Sequence, residues 1–158
     1  MIGVRHFRRS ARPSQGRIAR GRPDIKNRGT LIVGTDVTVA SSPVETEILV
    51  AKSGRLAIGD RVRIGHGSSL HAHLSVEIGA DVLIGPFVVL MDTDHHAVDA
   101  PNEQGTRAPV IVERGARIGA HSTVLRGAHI GAGAIVAPGS VVAGVVAPGA
   151  RIAGNPAR

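Results

Sequence analysis

The stretch Val112–Val146, VERGARIGAHSTVLRGAHIGAGAIVAPGSVVAGVV, decides the fold. Its branched residues fall at Val112, Ile118, Val124, Ile130, Val136 and Val142, six apart without a break. Four positions after each stand Ala116, Ser122, Ala128, Ala134, Ser140 and Val146, small in every case but the last. An amphipathic helix would return apolar residues at three- and four-residue spacing, and no long window does so. A period of six predicts one short strand and one turn per repeat, with the branched residue inward and a small residue beside it. Three such units close one triangular turn of chain. Stacked turns then satisfy one another's backbone, and like side chains form ladders inside.

The same spacing extends outward. Ile58, Ile64, Leu70 and Val76 form an earlier series, which slips by two residues and restarts as Ile78, Ile84 and Leu90, with Gly at 59, 65, 79 and 85. Val33 and Val39 carry it towards the start of the chain, and Val146 and Ile152 towards its end. The reading is an all-β, parallel β-helix of hexapeptide repeats, with between five and six turns from about 100 patterned residues. Composition agrees. Of 158 residues, 42% are hydrophobic, yet Trp and Tyr are absent and Phe occurs twice, at Phe7 and Phe87. Cores usually draw much buried area from aromatic rings, and a thin prism of Val, Ile and Ala has little room for them.

Charge divides the chain in two. Residues 1–28 hold nine basic side chains against Asp24 alone, or +8, and residues 29–158 hold ten against eleven acidic, or −1; together they give the net +7. A basic arm, 1–28, is therefore expected ahead of a nearly neutral domain, 29–158. The arm has one aromatic and no nucleic-acid-binding module, so no nucleic acid partner is expected; covering an end of the prism, docking on an anionic membrane or glycolipid surface, and disorder are the readings left open. No apolar run approaches the roughly 18 residues of a membrane span, and the arm lacks the apolar core of a secretory signal. Zero Cys excludes disulfides, thiolate metal ligands and a cysteine nucleophile.

Three features narrow the pattern. The loop Asp92-Thr93-Asp94-His95-His96 follows Ile84-Gly85-Pro86-Phe87-Val88-Val89-Leu90, a non-repeating stretch runs to Pro109, and the chain closes with Ala153-Gly154-Asn155-Pro156-Ala157-Arg158. Over residues 29–158 this resembles the hexapeptide-repeat acyltransferases, in particular the galactoside/maltose O-acetyltransferase group and its bacterial polysaccharide O-acetyltransferases. The resemblance implies a left-handed parallel β-helix with an extruded loop near 91–109. It implies a cytoplasmic homotrimer with active sites between subunits, acetyl-CoA as co-substrate and a small-molecule or glycan hydroxyl as acceptor. Carried over by position, His95 is the general base. Gly119, Ala120, Ala137, Pro138, Ala143 and Arg158 match stretches that contact the pantetheine arm and the nucleotide phosphates. Two positions depart from it: Gly65 and Arg117 stand where relatives often carry Asn and Trp.

The chemistry agrees with that role. A hydroxyl loses its proton far above pH 7, so an imidazole must take it in the transition state, an effect of about 10²–10⁴-fold. With no Cys and no Gly-x-Ser-x-Gly elbow, direct attack is simpler than an acyl-enzyme. Asp92 or Asp94 is expected to hold the ring of His95, and backbone N–H groups at Gly-rich turns to stabilise the oxyanion. His66, His71, His73, His121 and His129 are expected on prism faces or the subunit interface. No metal is expected in this reading. The alternative is a zinc enzyme of the gamma-class carbonic anhydrase kind, with His66 and His71 as ligands, or His71-x-His73, and His95 or His96 as the third. A non-catalytic β-helix scaffold is a further alternative; its ice-binding form needs Thr-x-Thr arrays, which the seven Thr do not form.

Overall fold

The computed structural model describes residues 17–96 and 105–158. Its strands are two to five residues long and all pair in parallel, as the hexapeptide spacing predicts. They build three sheets of seven, six and six strands, each sheet taking every third strand of the chain. This is the left-handed β-helix type of fold: three faces, here called first, second and third in chain order, meet at three corners and enclose one core.

The ladders inside are those of the sequence. On the first face Val39, Ile64, Ile84, Ile118, Val136 and Ile152 stack rung on rung. Ile25, Ile48, Leu70, Leu90, Val124 and Val142 do so on the second. The third carries Val33, Ile58, Ile78, Val112, Ile130 and Val146. Ala116, Ala128 and Ala134 are buried where space beside a branched residue is short, and Ser68, Ser122 and Ser140 serve the same small position with a hydroxyl. Those three hydroxyls donate to corner carbonyls of Gly85 and Ala137, so none is left bare in the core.

The interruptions of the period have structural causes. Between Val76 and Ile78 the third-face strand Ser75–Ile78 places two residues inward instead of one, as Arg55–Ile58 does below it. Val146 is the one large residue in the small series because the corner before it, Ala143-Gly144, is two residues shorter than Leu125-Arg126-Gly127-Ala128. It occupies the next face's inward position, opposite Ile130.

Parallel pairing also begins earlier than the hexapeptide spacing predicts. Strands Arg17–Gly21 and Asp24–Asn27 lie on Thr38–Ser41 and Glu47–Val50. The basic segment 1–28 is thus laid onto the stack from Arg17 onward. Its inward residue Ile25 extends a ladder without the six-residue spacing that would have revealed it, because the turn between Ile25 and Ile48 is longer. Residues 1–16 lie outside the description.

Candidate active site

The loop that carries His95 leaves the corner between the second and third faces, directly above the two residues, His73 and Leu74, that join strands Ser69–Ala72 and Ser75–Ile78. Asp92 anchors it. Its carboxylate is 0% exposed and accepts the backbone N–H of His73 at 2.8 Å and of Leu74 at 2.7 Å. The two amides of this two-residue corner take no backbone carbonyl, and the next turn supplies a carboxylate for both. Asp92 is therefore a staple of the corner rather than the tether of His95 that the sequence suggests.

Above Asp92 the loop closes on itself. Thr93, 3% exposed, accepts the His95 N–H on its hydroxyl at 3.1 Å and bridges antiparallel to Arg107. The His95 carbonyl takes the N–H of Gly105 at 3.2 Å, and a Cβ at Gly105 would sit 2.8 Å from the His96 nitrogen. That close approach requires a glycine. His95 itself has φ of 59°, in the left-handed region. A non-glycine residue there costs about 1–2 kcal/mol unless its surroundings hold it. Asp94, the other carboxylate expected at His95, is exposed and paired with the Arg126 guanidinium. Residues 97–104, the rest of the extruded loop, lie outside the described residues.

Two further imidazoles meet His95. The His73 ring is edge-on to it at 4.9 Å between centroids and 90°, and the His71 ring at 5.9 Å and 85°. The sequence reading placed these two on prism faces or the subunit interface, and joined them to the loop only in its zinc alternative, with His95 or His96 as third ligand. The two-residue slip after Val76 was the available signal, since it marks the corner that sets His73 beneath the loop. His71 in turn meets Glu47, whose Oε2 lies 3.2 Å from His71 Nε2. Lys26 Nζ holds the other oxygen of Glu47 at 3.0 Å and also reaches Asp24 at 2.7 Å. Hydrogen bonding from Lys26, then from His71, keeps the Glu47 carboxyl below its ordinary range. Burial, followed by the proximity of His95, pushes the His73 imidazole below its usual value. Both effects favour an anionic Glu47 and a neutral His73 at pH 7.

The residues matched to the nucleotide stretches gather elsewhere. Gly119, Ala120, Ala137 and Pro138 form one column at the corner between the first and second faces, where a Cβ on Gly119 would meet the Pro138 nitrogen at 2.5 Å. The segment Ala153–Arg158 folds back at the same end: Ala153 and Arg158 exchange backbone hydrogen bonds of 3.1 and 3.2 Å, and Ala157 donates to Val141 at 2.8 Å. Arg158 is thereby set beside that column. Ala143 stands at the opposite edge of the second face, the edge from which the His95 loop rises. Within one chain, His95 and most of the nucleotide-matched residues are separated by the second face.

His66 belongs to the first of these corners. Its ring meets Phe87 edge-on at 5.1 Å, and Phe87 stacks on His121 at 4.8 Å. So His66 does not join His71 and His73, and among the described residues no group of three or more His, Asp or Glu is disposed to hold a metal ion. Gly65 has a plain explanation. A Cβ there would stand 2.4 Å from the Pro86 backbone nitrogen, so this corner has no room for the asparagine that the resemblance suggested. Arg117 points outward on the first face, in a column with Arg63, Leu83, Ile135 and Arg151.

Two family descriptions match the chain: "Bacterial transferase hexapeptide (six repeats)" over residues 109–144 and "Hexapeptide repeat of succinyl-transferase" over 55–86. A Mycobacterium tuberculosis protein named "Probable acetyltransferase Rv3034c" is 28% identical over 86% of this chain, and the chain spans 51% of its length. Over 56 residues, 35% of this chain and 23% of the relative, it is 45% identical to a Staphylococcus aureus 2,3,4,5-tetrahydropyridine-2,6-dicarboxylate N-acetyltransferase. Among solved structures, the Vibrio cholerae hexapeptide-repeat acetyltransferase VCA0836 in complex with acetyl-CoA superposes with a TM-score of 0.70 at 27% identity, covering 80% of this chain and 67% of that one. AntD, an N-acyltransferase of Bacillus cereus bound to dTDP and 3-hydroxybutyryl-CoA, gives 0.73 at 22% identity over 86% and 74%; at that identity the likeness is one of fold. The repeat, the parallel three-faced stack and these matches agree in likening the chain to the hexapeptide-repeat acyltransferases.

Proposed function

We propose that this chain transfers an acetyl group from acetyl-CoA to a hydroxyl of a carbohydrate or glycan precursor, with His95 as general base and no acyl-enzyme. The observation that carries the reading is the placement of His95. It is exposed on a loop pinned by Asp92, Thr93 and Arg126, at the one corner where the coil stack opens among the described residues. The acetyl-CoA complex of the Vibrio relative supports the donor. The proton leaves the attacking hydroxyl for His95 as the oxygen bonds to the thioester carbon, and the sulfur of CoA departs as the tetrahedral intermediate collapses.

Gly119, Ala120, Ala137, Pro138 and Arg158 would line the donor groove, with the Arg158 guanidinium suited to phosphate. Because the second face separates them from His95 within one chain, a complete site needs two copies. The homotrimer of the family would supply them. A cytoplasmic location goes with acetyl-CoA as donor. A second reading, an amine acceptor, is favoured by the N-acyl transfer named for the Staphylococcus and Bacillus relatives. The same base and groove serve it.

The test is CoA release across a panel of sugars, glycolipid precursors, amino sugars and small alcohols, with His95→Ala beside the parent. The parent should respond to a hydroxyl acceptor, and His95→Ala should lose about 10²-fold or more in turnover with acetyl-CoA affinity unchanged. Turnover retained in the variant rejects the base, and response only to amines replaces the first acceptor class with the second.

A further inference from the structure

We infer that Glu47 is a positioning residue for His95, acting through His71, in a site built from three turns of the β-helix. The inference rests on His95 as the base and goes beyond it. Glu47 and His71 come from successive rungs of the second face, where Leu49 pairs with His71 and Glu47 with Ser69. His71 Nε2 donates to Glu47 Oε2 at 3.2 Å, and an anionic partner fixes that tautomer. Nδ1 is then the bare lone pair. It has no solvent contact and no partner, and the same is true of His73 Nδ1, which lies 3.9 Å from Asp92 Oδ1, beyond hydrogen-bonding distance.

Two orphaned ring nitrogens in one cluster are unusual, since an unmet buried acceptor costs about 1–3 kcal/mol. The ring that shares the cluster with both is His95. When His95 takes the proton of the attacking group it becomes an imidazolium, with an N–H on each nitrogen. One N–H faces the reacting oxygen and the other finds an acceptor in the cradle. The bare Nδ1 atoms of His71 and His73 thus favour the protonated base only at the moment it forms. Glu47 supplies the negative charge behind them.

The charged and titratable groups around the cradle are Asp24, Lys26 and Glu47 on the second face, His73 and Asp92 at the corner, and Asp94, Arg107 and Arg126 at the loop base. Lys26 is held between Asp24 and Glu47, and Arg126 by Asp94. Glu47 is the anion in direct contact with a cradle ring.

The experiment uses the full chain and Glu47→Gln, which keeps size and loses charge, with Glu47→Asp as the conservative control. Nitrogen-15 NMR of histidine-labelled protein reads the His71 tautomer without any acceptor. The parent should show a single Nε2–H form, and Glu47→Gln a mixture. With the acceptor found by the panel above, kcat should fall about tenfold in Glu47→Gln, the acidic limb of its pH profile should shift to lower pH, the KM for acetyl-CoA should hold, and Glu47→Asp should recover part of the loss. An unchanged tautomer and a superimposable pH profile overturn the inference. A loss of kcat with an unshifted profile also overturns it, by making Glu47 merely structural. Failure of the base reading is separate: it shows as activity in His95→Ala, whatever Glu47→Gln does.

Discussion

His73 shows how one residue can carry a structural and a pH-dependent role together. Its backbone N–H is taken by the buried Asp92, and its ring is pressed between the corner and His95. Burial lowers its proton affinity below the ordinary 6.5, and the nearby His95 lowers it further. In the unfolded chain the same ring titrates near 6.5. As pH falls through that value the unfolded state binds a proton that the folded state refuses, so stability drops, and the loss levels off below the folded midpoint. The carboxyls held below their usual range, Glu47, Asp60, Asp81 and Glu113, lose their contribution only at more acid pH. Urea denaturation at pH 7.5 and 5.5 separates the two windows. The parent should be less stable at 5.5, and His73→Gln should lose less between the two values. Equal losses would show that His73 does not set this slope.

At the scale of the strand and its corner, glycine matters for two different reasons, and they predict different costs. Gly65 must let the next turn approach: a Cβ there meets the Pro86 nitrogen at 2.4 Å and the Gly85 carbonyl carbon at 2.6 Å, both backbone atoms. Gly133 has φ of 66° and nothing within 4 Å of its would-be Cβ. Gly133→Ala should therefore cost only the left-handed strain, about 1–2 kcal/mol. Gly65→Ala must push two turns apart along their hydrogen bonds and should cost clearly more. Denaturant midpoints of the two variants check the order, and a smaller effect at 65 would mean that the corner yields. The inner ladders were legible in the sequence because Val, Ile and Leu recur six residues apart along the chain, one step from each face to the next. The corners were not, because they are settled between turns. Val39 and Ile64 are 25 residues apart, Ile64 and Ile84 are 20, Ile118 and Val136 are 18, and Val136 and Ile152 are 16. The break in the repeat singles out His95 as a candidate. Its neighbours Glu47, His71 and His73 meet it only through that uneven register, which no linear spacing displays.

A stack of parallel strands has two open ends, and each presents unpaired amides and carbonyls to other chains. Here the described ends are occupied by segments outside the hexapeptide pattern. At one end Ala153–Arg158 doubles back, with an antiparallel bridge between Gly154 and Ala157. At the other, strands Arg17–Gly21 and Asp24–Asn27 cover Thr38–Ser41 and Glu47–Val50. The cluster of positive charge thus overlaps a structural layer: Ile25 closes the second-face ladder over Ile48, while Lys26 and Asp24 steady Glu47. This divides the basic arm into two parts that truncation can distinguish. Removing residues 2–16 should leave the melting temperature and the His71 tautomer unchanged. Removing residues 2–28 uncovers Ile48 and a four-residue strand edge, with a loss of roughly 2 kcal/mol from apolar burial alone. It should lower the melting temperature, promote association seen by light scattering, and release Glu47 from Lys26 so that the His71 tautomer becomes mixed. If the longer deletion melted and scattered light like the shorter one, the strands from Arg17 to Asn27 would be decoration on a stack that ends at Thr30.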